Sequence, residues 1–286
     1  MIPKGILIAV GGNEDKGTRK KKQHTIYTPT KFLTQGILWK LNSMIAREIK
    51  HIEIVTTASS IPEKVGKLYV RAFKKLGCHQ VNIMDIRDPE QADQQEYLHR
   101  LSVCHCILFS GGDQFRLTSV FRNTAFFRLL SKRYVNDDFI IAGTSAGAMA
   151  MTDVMIYPGV EKDAHLNKEV HTYPGFGFLH HSIIDTHFLA RGRFRRLAQA
   201  VAERPHYTGI GLEEDTGVII REGKHLEVIG SGLITIVDAT EVKNKHLQEY
   251  CDLNDIYIEN LKVHLLAHGN KYTLSTDSVK FSAQLN

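Results

Sequence analysis

The chain of 286 residues contains no run of about 18 consecutive apolar residues, the length that a membrane-spanning helix requires. Its first apolar run, residues 5–10, leads directly into Gly11-Gly12 and charged residues, without the small-residue cleavage site of a secretory signal. We therefore expect a cytoplasmic protein that does not contact a membrane.

Cysteine is also scarce: Cys78, Cys104, Cys106 and Cys251 are scattered and show no C-x-x-C spacing, which is typical of a reduced compartment. A zinc site around Cys104-His105-Cys106 is disfavoured, because in a strand His105 points away from both thiols and no second pair of ligands follows. We expect neither a metal nor an organic cofactor.

The net charge is a modest +5, and much of it lies in residues 16–22, a segment rich in lysine and arginine. A solvated loop is the simpler interpretation of this segment. Contact with an acidic polymer is the alternative, because neighbouring cations attract polyanions.

The first half of the chain is a regular alternation of apolar runs and helical patterns. Predicted strands cover residues 6–10, 52–57, 81–86, 104–109 and 139–142, and predicted helices cover 31–50, 62–76 and 89–101 or begin near Gln114 and Ser145. This order predicts an α/β fold with a mostly parallel sheet, helices on both faces, and a ligand beyond the carboxyl ends of the strands.

After about residue 209 the pattern changes to short alternating segments at 217–221, 225–229, 233–238 and 262–267. They predict antiparallel strands that extend or flank the main sheet, a C-terminal β extension of residues 209–286. Because the composition is globular, with 43% hydrophobic and 23% charged residues, and no linker-like segment interrupts it, we expect one domain over residues 1–286.

A candidate nucleophile lies where Gly143-x-Ser145-x-Gly147 closes an apolar strand and opens an Ala-rich helix. Small neighbours allow the sharp turn of a nucleophile elbow, which projects the serine hydroxyl from the sheet. The helix N-terminus would also stabilise developing negative charge. An ordinary strand-to-helix turn with Ser145 as N-cap is the alternative.

A serine nucleophile needs a base, and His187 follows another apolar strand, which predicts a position at the same edge of the sheet. The competing histidines His171, His180 and His181 lie in less fixed loop settings.

The base in turn needs an acid, and Glu213, Glu214 and Asp215 end a fourth apolar segment. Spacing alone leaves the choice among these three open. Exposed acids of a turn are the alternative interpretation.

The segment Ser110-Gly111-Gly112-Asp113-Gln114 follows the strand at 104–109, and its glycines let backbone amides approach a reacting carbonyl. We assign an oxyanion hole to the amide of Ala146 and to that of Gly112 or Asp113. A phosphate-binding loop is the alternative, but no Walker lysine or G-x-G-x-x-G motif accompanies these glycines. We expect no nucleic-acid partner.

Three arginines, Arg191, Arg193 and Arg196, follow His187 at the predicted start of a helix. The helix dipole places positive potential there, so a solvated basic face does not fully explain them and an anionic partner is favoured. The alternative is that one or more of them pairs with a nearby acid such as Asp185.

Taken together, five segments resemble the family of serine peptidases that contains cyanophycinase and the aspartyl dipeptidase known as dipeptidase E. They occur in family order: Gly11-Gly12-Asn13-Glu14-Asp15-Lys16, Ser110-Gly111-Gly112-Asp113-Gln114, Gly143-Thr144-Ser145-Ala146-Gly147-Ala148, Asp185-Thr186-His187-Phe188 with Arg191-Gly192-Arg193, and residues 209–216. Each segment alone is weak, but the set is specific.

The resemblance implies a glutamine-amidotransferase-like (flavodoxin-like) fold with Ser145 as nucleophile, His187 as base and Glu214 as acid. It implies that β-aspartyl-arginine links of cyanophycin, or short aspartyl peptides, are the substrate, and that homodimers form. It also implies a substrate groove whose lining residues are Gln114, Asp185, Thr186, Arg191, Arg193 and Arg196.

One position departs from the family pattern, because Thr186 stands where cyanophycinases usually carry Gln. Threonine is shorter and cannot make the same amide contacts, so a substrate other than cyanophycin itself stays open. The rival hypothesis is a protein that kept the fold, lost the chemistry and binds an acidic polymer. Retention of all three triad residues argues against it.

Overall fold

The computed structural model describes residues 2–18, 31–157, 170–243, 245–246 and 257–275. Residues 19–22 of the basic segment and Cys251 lie outside these ranges. In the described ranges, no helix has the length and apolar character needed to cross a membrane.

Within the described residues the chain forms helices and strands in an alternating order. The helices are α1 (Ile37–Met44), α2 (Pro62–Lys75), α3 (Pro89–Ala92), α4 (Gln95–Val103), α5 (Gln114–Phe121), α6 (Ala125–Asn136), α7 (Ala146–Met149) and α8 (Phe194–Glu203). The strands are β1 (Ile6–Val10), β2 (His51–Val55), β3 (Gln80–Met84), β4 (Cys106–Phe109), β5 (Ile140–Thr144), β6 (Val154–Tyr157), β7 (His171–Pro174), β8 (Ser182–Thr186), β9 (Thr208–Leu212), β10 (Thr216–Arg221), β11 (His225–Gly230), β12 (Ile234–Asp238), β13 (Lys245–His246), β14 (Tyr257–Ile258), β15 (Lys262–Leu266) and β16 (Lys271–Thr273).

The main sheet has eight strands in the order β16-β11-β10-β1-β5-β4-β2-β3. Five neighbouring strands, β1, β5, β4, β2 and β3, run parallel to one another. The strands β10, β11 and β16 are joined to them by antiparallel pairs. Val10 pairs with Thr144, and Phe109 pairs with Gly143. The three segments that follow β1, β4 and β5 therefore leave the sheet at one edge, as predicted.

The two faces of the main sheet are covered by different layers, because successive side chains of a strand point in opposite directions. Ile8 and Val10 of β1 pack in a core with α1 and α2, whereas Leu7 and Ala9 pack in a larger core with α5 and α6. The prediction of an α/β fold with helices on both faces is confirmed.

A second sheet has the order β15-β12-β9-β8, with β8 and β9 parallel and the other pairs antiparallel. We predicted that the strand before His187 ends at the same edge of the main sheet, and this is wrong: His187 follows β8, in the second sheet. The physical reason is that β1 pairs with β5 on one side and with β10 on the other, so neither side of β1 is left for β8. Both sheets nevertheless share one core, in which Leu7 and Ile210 lie.

The predicted C-terminal β extension is present, since β10, β11 and β16 extend the main sheet and β12 and β15 flank β9. Three predicted helices differ in extent. The helix at 31–50 is limited to α1, the part that buries an apolar face. The helix at 89–101 is divided, and Asp93, at the division, caps α6 through the amide of Ala125. The Ala-rich helix after Ser145 is a single turn, α7.

Candidate active site

Ser145 occupies a strained turn between β5 and α7. Its φ of 52° and ψ of −113° lie outside the regions that most residues adopt. The turn is possible because Gly143 and Gly147 touch: a Cβ at Gly143 would lie 2.5 Å from the carbonyl of Gly147. The side chain of Ser145 makes no capping hydrogen bond to α7, which argues against the N-cap alternative. The geometry is that of a nucleophile elbow.

His187 follows β8 of the second sheet, and its ring lies beside the side chain of Ser145. Its Nε2 lies 3.1 Å from Ser145 Oγ. The ring packs against the turn after β1, where a Cβ at Gly12 would lie 2.4 Å from His187 Cε1. Only a glycine therefore fits beside this imidazole.

The structure distinguishes the three carboxylates that the sequence left open. Glu214 Oε1 lies 2.7 Å from His187 Nδ1. Asp215 instead accepts hydrogen bonds from the Asp15 amide at 3.1 Å and the Ser231 hydroxyl at 2.9 Å. Glu213 is buried, and its Oε1 has no partner among the described residues. Ser145, His187 and Glu214 thus form one line of contacts.

The other histidines lie elsewhere. His171 is an exposed residue of β7, His180 lies 3.9 Å from Asp153, and the ring of His181 packs on Tyr207. Across the part of the chain that the structure describes, no group of three or more His, Cys, Asp or Glu is arranged to hold a metal ion.

The electrostatics of the site favour a neutral imidazole beside an ionised acid. Burial lowers the pKa of His187 below its ordinary value, the charges of Arg191 and Arg193 lower it further, and Glu214 opposes them without cancelling them. Burial alone would raise the pKa of Glu214, but hydrogen bonds from Asn13 and His187 outweigh it and lower that pKa. Because Nδ1 faces a carboxylate, Nε2 is the nitrogen left to accept the Ser145 proton.

These shifts predict the acid side of the pH profile. We expect kcat/KM to fall with a midpoint below pH 6.5, the ordinary pKa of histidine, because the base works only when neutral. Glu214→Gln removes the negative charge that raises the pKa of His187, so the midpoint should move lower still and the rate should drop. Glu213→Gln is the matched control and should leave the midpoint in place. Equal shifts in both variants, measured over pH 4–8, would contradict Glu214 as the acid.

The glycine turn after β4 lies beside the nucleophile, since a Cβ at Gly111 would lie 3.2 Å from Ser145 Cβ. Of the two alternatives for the oxyanion hole, Gly112 is favoured, because the amide of Asp113 already donates to the carbonyl of Ala58 at 2.9 Å. The carboxylate of Asp113 caps α5 by accepting from the amides of Phe115 and Arg116. The amides of Gly112 and Ala146 have no hydrogen-bond partner within the described ranges, so these two remain available to an oxyanion.

The residues implied to line the substrate groove divide into two groups. Asp185 and Thr186 are fully buried, and their implied contact with a substrate stays a prediction. Asp185 binds the guanidinium of Arg196 through both oxygens and that of Arg193 at 3.2 Å. The alternative of arginines paired with Asp185 therefore holds for these two arginines.

Gln114 is also buried, and its Nε2 donates to the carbonyl of Ile156 at 3.0 Å, so its implied place in the groove likewise stays a prediction. Arg191 behaves differently, because its side chain is exposed and its charge reaches both His187 and Glu214. Of the three arginines, Arg191 is therefore the one with an exposed side chain, whereas Arg193 and Arg196 are ion-paired to Asp185.

No role was predicted from the sequence for Asn13 and Glu14, although both lie in the family-like segment at residues 11–16. Asn13 hydrogen-bonds to Glu214, and Glu14 is a buried carboxylate that accepts from Thr144. The available signal was two polar residues directly after a glycine pair at a strand end.

Comparison with known proteins gives consistent matches. The model of peptidase family S51 matches residues 33–228 of the chain. The cyanophycinase of Trichormus variabilis is 34% identical over 224 residues, 78% of this chain and 75% of that protein. The cyanophycinase of Synechococcus elongatus is 32% identical over 278 residues, 97% of this chain and 81% of that protein.

Solved structures support the fold. A crystal structure of a peptidase from an acI-B1 Actinobacterium aligns with a TM-score of 0.67 at 19% identity, covering 95% of this chain and 97% of that one. At this identity the likeness concerns the fold alone. The residues matched by the family model include Ser145, His187 and Glu214, whereas the turn after β1 lies before them.

Proposed function

The chain belongs to peptidase family S51 and is a serine-type peptidase, and on this premise we propose that it hydrolyses peptide bonds at aspartyl residues, with the β-aspartyl-arginine links of cyanophycin as the substrate. The observation that carries the proposal is the line of contacts from Ser145 through His187 to Glu214, at 3.1 Å and 2.7 Å. The proposed roles are nucleophile, general base and orienting acid.

The proposed chemistry is acyl transfer to water. Ser145 Oγ attacks the carbonyl carbon, and its proton passes to His187 Nε2. The carboxylate of Glu214 stabilises the imidazolium, and the amides of Gly112 and Ala146 donate to the oxyanion. His187 then gives the proton to the leaving amine, which departs and leaves an acyl-enzyme. In the second half, His187 takes a proton from water, the hydroxide attacks the ester, and Ser145 recovers its proton.

Substrate recognition is proposed to rest on positive charge beside the base. An open cavity of about 470 Å³ is lined by Val170, Arg191, Gly192, Arg193, Arg195, Arg196 and Gln199. Guanidinium groups bind carboxylates with two parallel hydrogen bonds, so a polyaspartyl chain fits the charge of this cavity. Asp185 holds Arg193 and Arg196 in place and partly neutralises them, which leaves Arg191 as the proposed contact with a substrate carboxylate.

The direct test is product analysis. The protein is incubated with cyanophycin and with a panel of α- and β-aspartyl dipeptides, and the products are identified by mass. Release of β-aspartyl-arginine supports the proposal. Cleavage of α-aspartyl dipeptides alone would instead indicate an aspartyl dipeptidase. A folded protein that binds the polymer, releases nothing and is not labelled by a fluorophosphonate at Ser145 would indicate the rival, a silent binding protein.

Arg191→Ala should reduce kcat/KM for an aspartyl substrate by about 10- to 150-fold, about 1.5–3 kcal/mol, which is the usual worth of a hydrogen bond to a charged group. The reaction of Ser145 with a small neutral fluorophosphonate should stay nearly unchanged. Arg71→Ala, at an exposed arginine of α2, is the control for lost surface charge. Equal losses against both reagents would mean that Arg191 supports the triad and not the substrate.

Three further parts of the proposal concern the state of the protein. We propose a cytoplasmic location, which agrees with the free thiols of Cys78, Cys104 and Cys106. A single catalytic domain over residues 1–286 is supported by the core that both sheets share. A homodimer follows from the family resemblance, and sedimentation velocity tests it.

A further inference from the structure

The end of β1 and the turn after it accept three hydrogen bonds through consecutive backbone carbonyls, two from members of the proposed triad and one from the neighbour of the third. The carbonyl of Val10 accepts from the amide of Ser145 at 2.9 Å, and that of Gly11 accepts from the amide of His187 at 2.9 Å. The carbonyl of Gly12 accepts from the amide of Asp215, next to Glu214, at 2.8 Å. One short segment therefore sets the positions of residues that come from two different sheets.

The same turn also supplies a buried carboxylate behind the nucleophile. Glu14 is 4% exposed, and its Oε2 accepts a hydrogen bond from the hydroxyl of Thr144 at 2.7 Å. Its Oε1 accepts from the hydroxyl of Tyr69 and lies 3.0 Å from Lys16 Nζ. Burial would raise the pKa of Glu14, but Lys16 and the two hydroxyls outweigh it and lower that pKa, so the group is ionised at neutral pH.

Thr144 is the residue directly before Ser145, which makes this contact relevant to catalysis. A non-glycine residue at positive φ is strained by about 1–3 kcal/mol, and it persists only where its surroundings hold it in place. The amide of Ser145 donates a hydrogen bond to the carbonyl of Val10, and the hydroxyl of Thr144 donates one to Glu14. Loss of the hydrogen bond between Thr144 and Glu14 would let the turn at Ser145 relax and move Ser145 Oγ relative to His187.

We propose that Glu14 is a positioning residue, which keeps Ser145 Oγ aligned with His187 Nε2 by holding the hydroxyl of Thr144. Glu14 acts through Thr144 and is not expected to change the pKa of His187. The charged groups that act on that pKa are Glu214, Arg191 and Arg193. The inference rests on the proposed triad and adds a residue that the triad does not include.

The test separates alignment from stability. Glu14→Gln should lower kcat by about 10- to 100-fold among folded molecules, with KM changed by no more than about twofold and the acid midpoint of the pH profile unmoved. Thr144→Val removes the hydroxyl that donates to Glu14, and should lower kcat by the same factor. Thr144→Ser, which keeps a hydroxyl, should have a kcat within about threefold of the parent.

Glu53→Gln is the matched control, because Glu53 is also a fully buried carboxylate of the main-sheet region, bound to Arg100 and His51. It should lower the melting temperature without lowering kcat per folded molecule. If Glu14→Gln does not fold, the pair of Thr144 variants decides the question.

Parental kcat in Thr144→Val, or in folded Glu14→Gln, would overturn the proposal while leaving the triad intact. A shifted acid midpoint in Glu14→Gln would also overturn it, because that result assigns Glu14 an electrostatic effect on His187. Parental turnover in Ser145→Ala would overturn the proposed function itself, and this inference with it.

Discussion

Replacement of Ser145 by alanine should lower kcat by about 10³-fold or more and abolish labelling by a fluorophosphonate. Only the hydroxyl group is lost, and alanine carries a Cβ as serine does, so the backbone strain of the turn is about the same and the fold should be retained. His187→Ala should cost about as much, because the members of such a triad act as one unit and their losses are not additive. Steady-state kinetics on an aspartyl substrate, with circular dichroism of each variant, measures both effects.

His180→Ala is the control for these variants, since His180 is an exposed histidine outside the line of contacts and its loss should not change kcat. Turnover within tenfold of the parent in either folded triad variant would rule out the mechanism. Loss of activity in Ser145→Ala together with full activity in His187→Ala would leave the nucleophile in place and assign the base to another group.

Gly12→Ala should lower kcat by about 100-fold or more in a protein that still folds. The added Cβ would lie 2.4 Å from His187 Cε1 and 2.5 Å from Nε2, distances at which the ring must move. A displacement of about 1 Å from the productive geometry is enough to cost about 100-fold in rate. The measurement is kcat together with the rate of Ser145 labelling, and both should fall because the base serves both reactions.

Gly77→Ala is the matched control for backbone strain. Gly77 also has a positive φ, 80° against 102° for Gly12, but a Cβ there would meet nothing within 4 Å. Both variants carry the cost of a side chain at positive φ, about 1–2 kcal/mol, and only Gly12→Ala also displaces the imidazole. Similar activity in the two variants would show that contact with Gly12 does not position His187.

Much of the framework could be predicted because it depends on local pattern. The alternation of apolar runs and helical segments indicated the parallel strands, and the glycines around Ser145 indicated a sharp turn at the end of β5. Arg193 and Arg196 lie at the start of α8 as predicted, and Arg191 lies in the turn before it. Each of these features is set by neighbours in sequence, through burial, backbone freedom or helix geometry.

The partners of individual polar groups could not be predicted in this way. The choice among three consecutive carboxylates depended on which of them faces His187, a residue 27 positions away. The preference for Gly112 over Asp113 depended on the hydrogen bond from the Asp113 amide to the carbonyl of Ala58. A single sequence specifies which groups must find a hydrogen-bond partner when buried, but not which partner they find.

The sequence by itself determined the fold class, the edge of the main sheet at which the segments after β1, β4 and β5 meet, and the glycine-rich turn that carries the proposed nucleophile Ser145. Only the tertiary structure decided that His187 belongs to a second sheet, that Asp185 is used to hold Arg193 and Arg196, and that Glu14 stands behind the nucleophile. The physical reason is distance along the chain. Thr144 and Glu14 are 130 residues apart, and a contact of that kind forms only when the chain folds and removes both groups from water.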